Sequence, residues 1–225
     1  MKNKKIIIMA TIAIFIIIII LFSIFKIINY KNAKMGNNIV DKTLEEIETY
    51  ILNISSYQAE IEVTVESNKN TNKYVINQKY SSPNIASQEI LEPKSIEGLT
   101  IKYDGTNLEI SNSKLNISTI YENYTYIADN VLWLSDFIEN YKTNGGVISE
   151  ENGLIVMETK CNSSKYSALE KLYIDRNANT ITKLVICDEN NRSRIYITYN
   201  KIEIGSLSKE SVLAFKIREN IAQDI

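Results

Sequence analysis

The chain has 225 residues and a nearly balanced charge, with 25 Lys and Arg against 27 Asp and Glu and a net charge of -2. Residues 1–34 hold six lysines and no acidic residue, so the remainder carries 19 positive and 27 negative side chains and a net charge of -8. An acidic remainder with no histidine in the chain and only two cysteines excludes nucleic-acid binding, Ser-His or Cys-His catalysis, most zinc sites and a disulfide scaffold.

The N-terminal stretch Ile6–Phe25 is apolar except for Thr11 and Ser23. As a helix it spans roughly 30 Å, the thickness of a bilayer core. A cleaved secretory signal is the alternative, but its apolar region usually has about 7–15 residues and ends at a small-residue cleavage site, which this run lacks. The stretch therefore predicts an uncleaved membrane anchor.

The anchor divides the chain into four parts. Residues 1–5 form a cytoplasmic tail, 6–28 a transmembrane anchor, 29–38 a polar linker and 39–225 one extracytoplasmic domain. Lysines on both sides of the anchor balance, so orientation follows from the very short tail before a large polar domain. The protein is predicted to be a single-pass membrane protein.

The domain begins with a predicted amphipathic helix over Asp41–Ile54. Its apolar residues recur at three- and four-residue steps and form one stripe that should pack on a sheet: Val40, Leu44, Ile47, Ile51 and Ile54. Thr43 with Glu46 forms a capping box, and Asp41 is a rival cap.

Strands follow the first helix. Tyr57–Glu66 alternates apolar and polar residues as a half-buried strand does. Asp104-Gly105, a pair favoured by two-residue turns, predicts a hairpin over Leu99–Ser111. The other strands predicted here are Lys73–Tyr80, Ile85–Leu91 and Leu115–Ile120.

An aromatic cluster, Tyr121, Tyr124 and Tyr126, lies in the polar segment that follows these strands. Tyrosine is enriched at protein interfaces, so the cluster is a candidate interface. It can equally cover the core, and the sequence leaves both readings open.

A second helix is predicted over Ala128–Tyr141, with Asp129 as its cap and Asn144-Gly145-Gly146 as its stop. Its apolar residues are candidates either to line an apolar cavity or to contact the sheet: Leu132, Trp133, Phe137, Ile138 and Tyr141.

The last third is predicted to be a meander of strands: Val147–Ser149, Leu154–Cys161, Ala168–Asp175, Thr180–Asp188 and Ser193–Ile204. In the last strand the apolar parity changes after Tyr199, which predicts a bulge near Asn200. Simple hairpins would place Cys161 opposite Ala168 and Ala168 opposite Cys187. The cysteines would then lie two strands apart, too far for a disulfide, so both are predicted to be thiols.

These elements predict an α+β fold in which a curved antiparallel sheet wraps helices. Their order resembles the LolA-like fold, an incomplete β-barrel. Leu99–Ser111 looks like the YDG hairpin of that fold, Tyr173–Gly205 looks like its closing meander, and Leu213–Ile217 is similar to its terminal strand.

Within that fold the chain is similar to the GerS-type germination proteins of spore-forming clostridia. The resemblance implies a non-catalytic partner, at the spore envelope, of a cortex-modifying amidase of the CwlD type. The chain lacks the cysteine of the lipoprotein members after its apolar run, and the anchor would replace the lipid. The resemblance transfers no site residues.

Two alternatives to a partner-binding module differ in what they require. A LolA-like carrier or sensor of a lipid or other apolar ligand needs a cavity under the helices. An enzyme without histidine needs paired carboxylates or a Lys/Ser site, and no such constellation is present. We therefore predict no catalytic residues, no cofactor and no metal. The unpaired edges of an open sheet are also natural sites for a homodimer.

Overall fold

Eleven strands and three short helices are present in the computed structural model, which describes residues 39, 41–124, 131–164, 167–205 and 207–214. The helices are α1 (Leu44–Leu52), α2 (Leu134–Asn144) and α3 (Lys209–Leu213). The first six strands are β1 (Ser56–Glu66), β2 (Thr71–Ser81), β3 (Ile85–Glu92), β4 (Leu99–Tyr103), β5 (Leu108–Asn112) and β6 (Ile117–Tyr121). The others are β7 (Gly146–Glu151), β8 (Leu154–Ser164), β9 (Ser167–Asp175), β10 (Thr180–Cys187) and β11 (Ser193–Ile204).

All eleven strands form one antiparallel sheet in the order β6-β5-β4-β3-β2-β1-β11-β10-β9-β8-β7. The first strand pairs with the last, so the two halves of the chain meet in the middle of the sheet. Within the described ranges, β6 and β7 pair on one side only, and the sheet is therefore open. The prediction of an α+β fold with an unclosed antiparallel sheet is confirmed.

The central pair β1 and β11 follows the predicted patterns closely. Tyr57, Ala59, Ile61 and Val63 are buried, while the residues between them are half-buried. Glu60 pairs with Lys201 and Ile61 pairs with Tyr199, which leaves Asn200 without a partner residue on β1. The bulge predicted near Asn200 is confirmed.

The capping box of α1 is also confirmed. The Thr43 N–H donates to Glu46 Oε2 at 2.8 Å, and the Glu46 N–H donates to Thr43 Oγ1 at 3.2 Å. Asp41 is not the cap. Ile47 and Ile51 are fully buried, as expected for the stripe that packs on the sheet.

The turn predicted at Asp104-Gly105 needs correction. Tyr103 pairs with Leu108, so the loop of the β4–β5 hairpin has four residues rather than two. Asp104 Oδ1 stabilises the longer loop by accepting hydrogen bonds from the backbone N–H groups of Thr106 and Asn107 at 2.9 and 2.8 Å. The two-residue turn with positive φ at both positions occurs instead at Asn152-Gly153, between β7 and β8.

The predicted start of the second helix was wrong, and its predicted stop is confirmed. The helix begins at Leu134, while Val131 and Leu132 form a turn and Asp129 lies outside the described residues. Asn144 is the last helical residue, and Gly145 adopts a φ of 72° immediately after it.

A short helix, α3, precedes the predicted terminal strand Leu213–Ile217 and includes its first residue. Leu213 ends α3, and residues 215–217 lie outside the described residues. Lys79 Nζ donates to the carbonyl oxygens of Ser211 and Ala214 at 3.1 and 3.0 Å. Because Lys79 and its neighbour Tyr80 point to opposite faces of β2, and Tyr80 packs beside Trp133 at the start of α2, α3 covers the face opposite to α2.

Both cysteines are free thiols, as predicted. The pairing of β9 with β8 and β10 differs from the predicted pairing by one residue. Lys160 pairs with Leu169, and Leu169 pairs with Cys187, so Leu169 rather than Ala168 lies opposite Cys187.

The predicted tail, anchor and linker, residues 1–38, lie outside the described residues. In the ranges that the structure does describe, no helix is long and apolar enough to cross a membrane.

Gly146 offers a test of the packing between α2 and β8. A Cβ added at Gly146 would overlap the Tyr141 ring and lie 2.5 Å from the Glu158 carbonyl oxygen. We expect Gly146→Ala to lower the free energy of unfolding by about 3 kcal/mol, since both neighbours must move. Urea unfolding of the full chain in detergent, followed by the fluorescence of the single tryptophan, measures it.

Gly205→Ala is the matched control, because nothing lies within 4 Å of the corresponding Cβ. It should change stability by less than about 0.5 kcal/mol. Equal effects of the two substitutions would contradict the packing described here.

Candidate functional site

The inner face of the sheet, which carries α2, runs without interruption from the core to the β6 edge. One row of directly paired residues crosses six strands: Tyr57, Tyr80, Ala86, Tyr103, Leu108 and Tyr121. Exposure in this row rises from 0% at Tyr57 and 9% at Tyr103 to 48% at Tyr121. The residues that form the core at the centre of the sheet therefore continue into an accessible surface at its edge.

The strand at that edge is uncharged and exposed over its whole length, and three of its five residues are large and apolar or aromatic. Leu115 in the preceding turn is 62% exposed, and Ile117, Ile120 and Tyr121 are 53%, 61% and 48% exposed. We call these four residues the β6 edge patch, in which Ile117 and Tyr121 lie on the inner face and Ile120 on the outer face of the same edge strand. No residue of β6 carries a charge, and in the described part of the sheet nothing pairs with its outer side. A long uncharged edge of this kind is a template for another strand.

The predicted tyrosine cluster contributes to this patch in part. The rings of Tyr121 and Tyr124 lie 6.3 Å apart. The Tyr124 N–H donates to the Thr106 carbonyl at 2.8 Å, and the Tyr103 hydroxyl donates to the Tyr124 carbonyl at 3.1 Å. Tyr126 lies outside the described residues. The pattern of the sequence did not indicate Leu115, Ile117 and Ile120 as surface residues, because apolar residues in a predicted strand normally belong to the core.

The five apolar candidates of the second helix lie against the sheet. Trp133, Phe137, Ile138 and Tyr141 are 0–6% exposed and belong to the core cluster, and the half-buried Leu132 packs against it. The two predicted roles of these residues, cavity lining and sheet contact, stay predictions.

A tyrosine from the sheet takes the place of a side-chain cap at the start of α2. Trp133 occupies the cap position and makes no side-chain hydrogen bond there. The Leu134 N–H instead donates to the Tyr57 hydroxyl at 3.1 Å. Farther along α2, the Tyr141 hydroxyl donates to Glu48 Oε1 of α1 at 2.6 Å, and burial together with this carboxylate raises the pKa of Tyr141.

Arg176 anchors the segment that enters the domain. Its guanidinium donates to the carbonyls of Ile39 and Lys42 at 2.8 and 2.7 Å and forms a bidentate pair with Glu150 at 2.7 and 2.6 Å. Arg176 also holds the pKa of Glu150 below its usual range. The Ile39 N–H donates to Asn179 Oδ1 at 3.0 Å, so the first described residue is bound on both sides.

The opposite edge of the sheet has a different character. A surface cavity of about 410 Å³ lies on the β7–β8 hairpin and is lined by Ser149, Glu151, Asn152, Leu154 and Val156. Val147 and Leu154 are exposed there, but acidic residues lie among them. Among the described residues, no group of Cys, Asp and Glu side chains is arranged to hold a metal ion.

No protein-family model and no curated protein matches the chain. The fold of the chain is similar to that of several solved structures, of which three are described below. An uncharacterized conserved protein from Thermus thermophilus is 11% identical with a TM-score of 0.49, over 78% of this chain and 96% of that one. A LolA superfamily protein from Nitrosomonas europaea is 12% identical with a TM-score of 0.43, over 76% and 97%.

The third is a chain in the structure of the CwlD amidase from Clostridioides difficile in complex with the GerS lipoprotein. It is 24% identical with a TM-score of 0.46, over 72% of this chain and 93% of that one. None of the three TM-scores reaches 0.5.

The cap supplied by Tyr57 can be tested by removing one oxygen atom. Tyr57→Phe leaves the buried Leu134 N–H without its acceptor, so we expect it to lower the free energy of unfolding by about 1–3 kcal/mol. Tyr74→Phe, at a half-buried tyrosine of the neighbouring strand β2, is the control and should have a much smaller effect. Urea unfolding measures both, and equal stabilities of the two variants would refute the capping role.

Proposed function

We propose that this chain is a membrane-anchored, non-catalytic binding protein with a LolA-like fold, which acts in spore germination as the partner and activator of a cortex-modifying amidase of the CwlD type. Residues 6–28 hold the extracytoplasmic domain, residues 39–225, at the membrane. The β6 edge patch is the docking surface. The observation that carries the proposal is an uncharged, exposed and unpaired edge strand on an acidic domain.

The backbone of β6 supports docking by strand addition. An edge strand presents a row of unpaired N–H and C=O groups, and proteins normally protect such an edge with charges, proline or a covering element. None of these side-chain protections is present in β6, whose residues are Ile117, Ser118, Thr119, Ile120 and Tyr121. An extended segment of a partner can pair with this backbone, while its alternate side chains contact the β6 edge patch.

Charge favours a partner different from the chain itself. Beyond residue 34 each copy carries a net charge of -8, so two copies repel each other, whereas a neutral segment of another protein is not repelled and a basic segment is attracted. Glu109, which pairs with Ile120, and Glu122 after β6 provide negative charge beside the patch. The predicted homodimer through edge strands is therefore the less favoured use of this strand.

The alternative of an apolar-ligand carrier depends on space under α2. The burial of Trp133, Phe137, Ile138 and Tyr141 within the core cluster favours packing over ligand binding at that position. The exposed apolar surface lies at the edge of the sheet, where a protein partner can reach it.

Binding of the amidase is the first test. The full chain, solubilised in detergent and immobilised, should retain the CwlD-type amidase of the same organism. Ile120→Asp should weaken binding at least tenfold, because it places a carboxylate in the docking surface beside Glu109. Titration of the amidase over the immobilised chain gives both dissociation constants.

Val147→Asp is the matched control, since Val147 is an equally apolar and 67% exposed residue of the other edge strand. It should leave the affinity unchanged. If the immobilised chain retains no amidase, the proposed partner is wrong. If the two variants lose the same amount of affinity, the β6 edge patch is not the docking surface.

The anchor has its own test. The full chain should remain in the membrane pellet after an alkaline wash and dissolve in detergent, because about 20 apolar residues suffice to span a bilayer. A variant that lacks residues 1–38 should be released. A chain found in the soluble fraction with its first thirty residues trimmed would refute the anchored arrangement.

A further inference from the structure

Glu170 of β9 is a carboxyl group with no access to solvent, at 0% exposure. It points to the inner face of the sheet, between Thr159 of β8 and Ile186 of β10, under Asn140 of α2. Acidic residues are almost never fully buried unless a charged or hydrogen-bonding partner compensates them. The partners of Glu170 therefore determine which protonation state the fold accommodates.

Only one of the two Glu170 carboxyl oxygens has a hydrogen-bond partner. Asn140 Nδ2 donates to Glu170 Oε2 at 3.2 Å, while Glu170 Oε1 has no hydrogen-bond partner. The same amide group contacts Asp136 Oδ2 at 3.4 Å and Cys161 Sγ at 3.9 Å. The buried hydroxyl of Tyr199, which feels the charge of Glu170, also lacks a partner.

A protonated Glu170 removes the buried negative charge, and a neutral carboxyl group with one unpaired oxygen costs less to bury than a charged one. An ionised Glu170 instead leaves a buried charge that is compensated only by the Asn140 amide and the Cys161 thiol, with Oε1 unpaired, which is costly. The groups that face it are Asp136 of α2, Cys161 of β8 and Tyr199 of β11, and in the described ranges no Lys or Arg side chain contacts it. Burial raises the pKa of Glu170 to about 7, against the smaller opposite effects of Asn140 and Cys161.

We propose that Glu170 and Asn140 form a proton-dependent latch, which holds the C-terminal half of α2 on the sheet when Glu170 is protonated and releases it when Glu170 ionises. This inference concerns a part of the domain remote in sequence from β6 and does not depend on the proposed partner. The N-terminal end of α2 stays in place because the Tyr57 hydroxyl, whose pKa lies well above its usual value, holds Leu134 at any physiological pH.

The sign of the pH dependence follows from the direction of the shift. The pKa of Glu170 is higher in the latched state than the ordinary value of 4.5, so the latch is fully stable below about pH 4.5. Its stability falls about tenfold per pH unit as the pH rises toward about 7, and it levels off above that. Opening should therefore increase by a factor on the order of a hundred between pH 4.5 and 8.

Hydrogen exchange of the full chain in detergent tests the latch. Protection factors, corrected for the intrinsic pH dependence of exchange, are measured by mass spectrometry from pH 4.5 to 8. We expect protection of the α2 amides of residues 140–144 to fall about a hundredfold and level off near pH 7, while amides of β1 and β2 in the same sample stay constant. A flat profile in α2, or an equal fall in β1 and β2, overturns the proposal without any variant.

Glu170→Gln identifies the titrating group. Glutamine keeps the neutral form at every pH and can offer an N–H where the acid offers its O–H, so protection of α2 should become independent of pH. Glu151→Gln, at an exposed glutamate of β7, should behave like the unmodified chain. A pH-dependent fall that persists in Glu170→Gln assigns the transition to another group and overturns the latch.

Discussion

The pairing of β1 with β11 is the contact on which the rest of the structure depends. Each half of the chain forms a meander of neighbouring strands, and only this one pair, far apart in sequence, joins them into a single sheet. The bulge at Asn200 keeps apolar residues on the inner face along the whole of β11, because Ile197 before it and Ile202 after it are both buried. Without that one-residue correction, the second half of β11 would turn its apolar side chains to the outer face.

The helices depend on this sheet for contacts that their own sequences do not supply. Helix α1 caps itself through Thr43 and Glu46, whereas α2 relies on the Tyr57 hydroxyl at its start and on the Thr159 hydroxyl near its end. The entry segment at Ile39 is likewise held by Arg176 and Asn179 from the turn between β9 and β10. Polar groups from the strands and from one turn of the sheet thus position α2 and the start of the domain, and apolar side chains fill the core between them.

The open sheet has two edges that differ in chemistry. The edge at β6 continues the apolar inner face and has no charge, while the edge at β7 carries Glu150 and Glu151. Glu150 is engaged by Arg176, so part of the β7 edge is committed to holding the fold together. An unprotected strand at one edge and a charged strand at the other give the domain one direction in which a sheet can be extended, which is the physical basis of the proposed binding role.

Local patterns in the sequence predicted much of this fold. The alternation in β1, the capping box at Thr43, the glycine stop of α2 and the bulge at Asn200 all follow from interactions within a few residues, and each is present. The four-residue loop after Tyr103 and the late start of α2 at Leu134 were missed, because alternative turns of similar local stability are decided by how the flanking elements pack.

Other residues have roles that depend on distant partners in the fold. Ile117 and Ile120 have the composition of a core strand, and they are exposed because β6 is the last strand of an open sheet. Glu170 looks like any strand glutamate, and it is buried because α2 crosses above it and places Asn140 on its oxygen. The amino-acid sequence determined which segments become strands and helices, since that depends on near neighbours. The fold determined which side chains meet solvent, since exposure depends on segments far away in the chain.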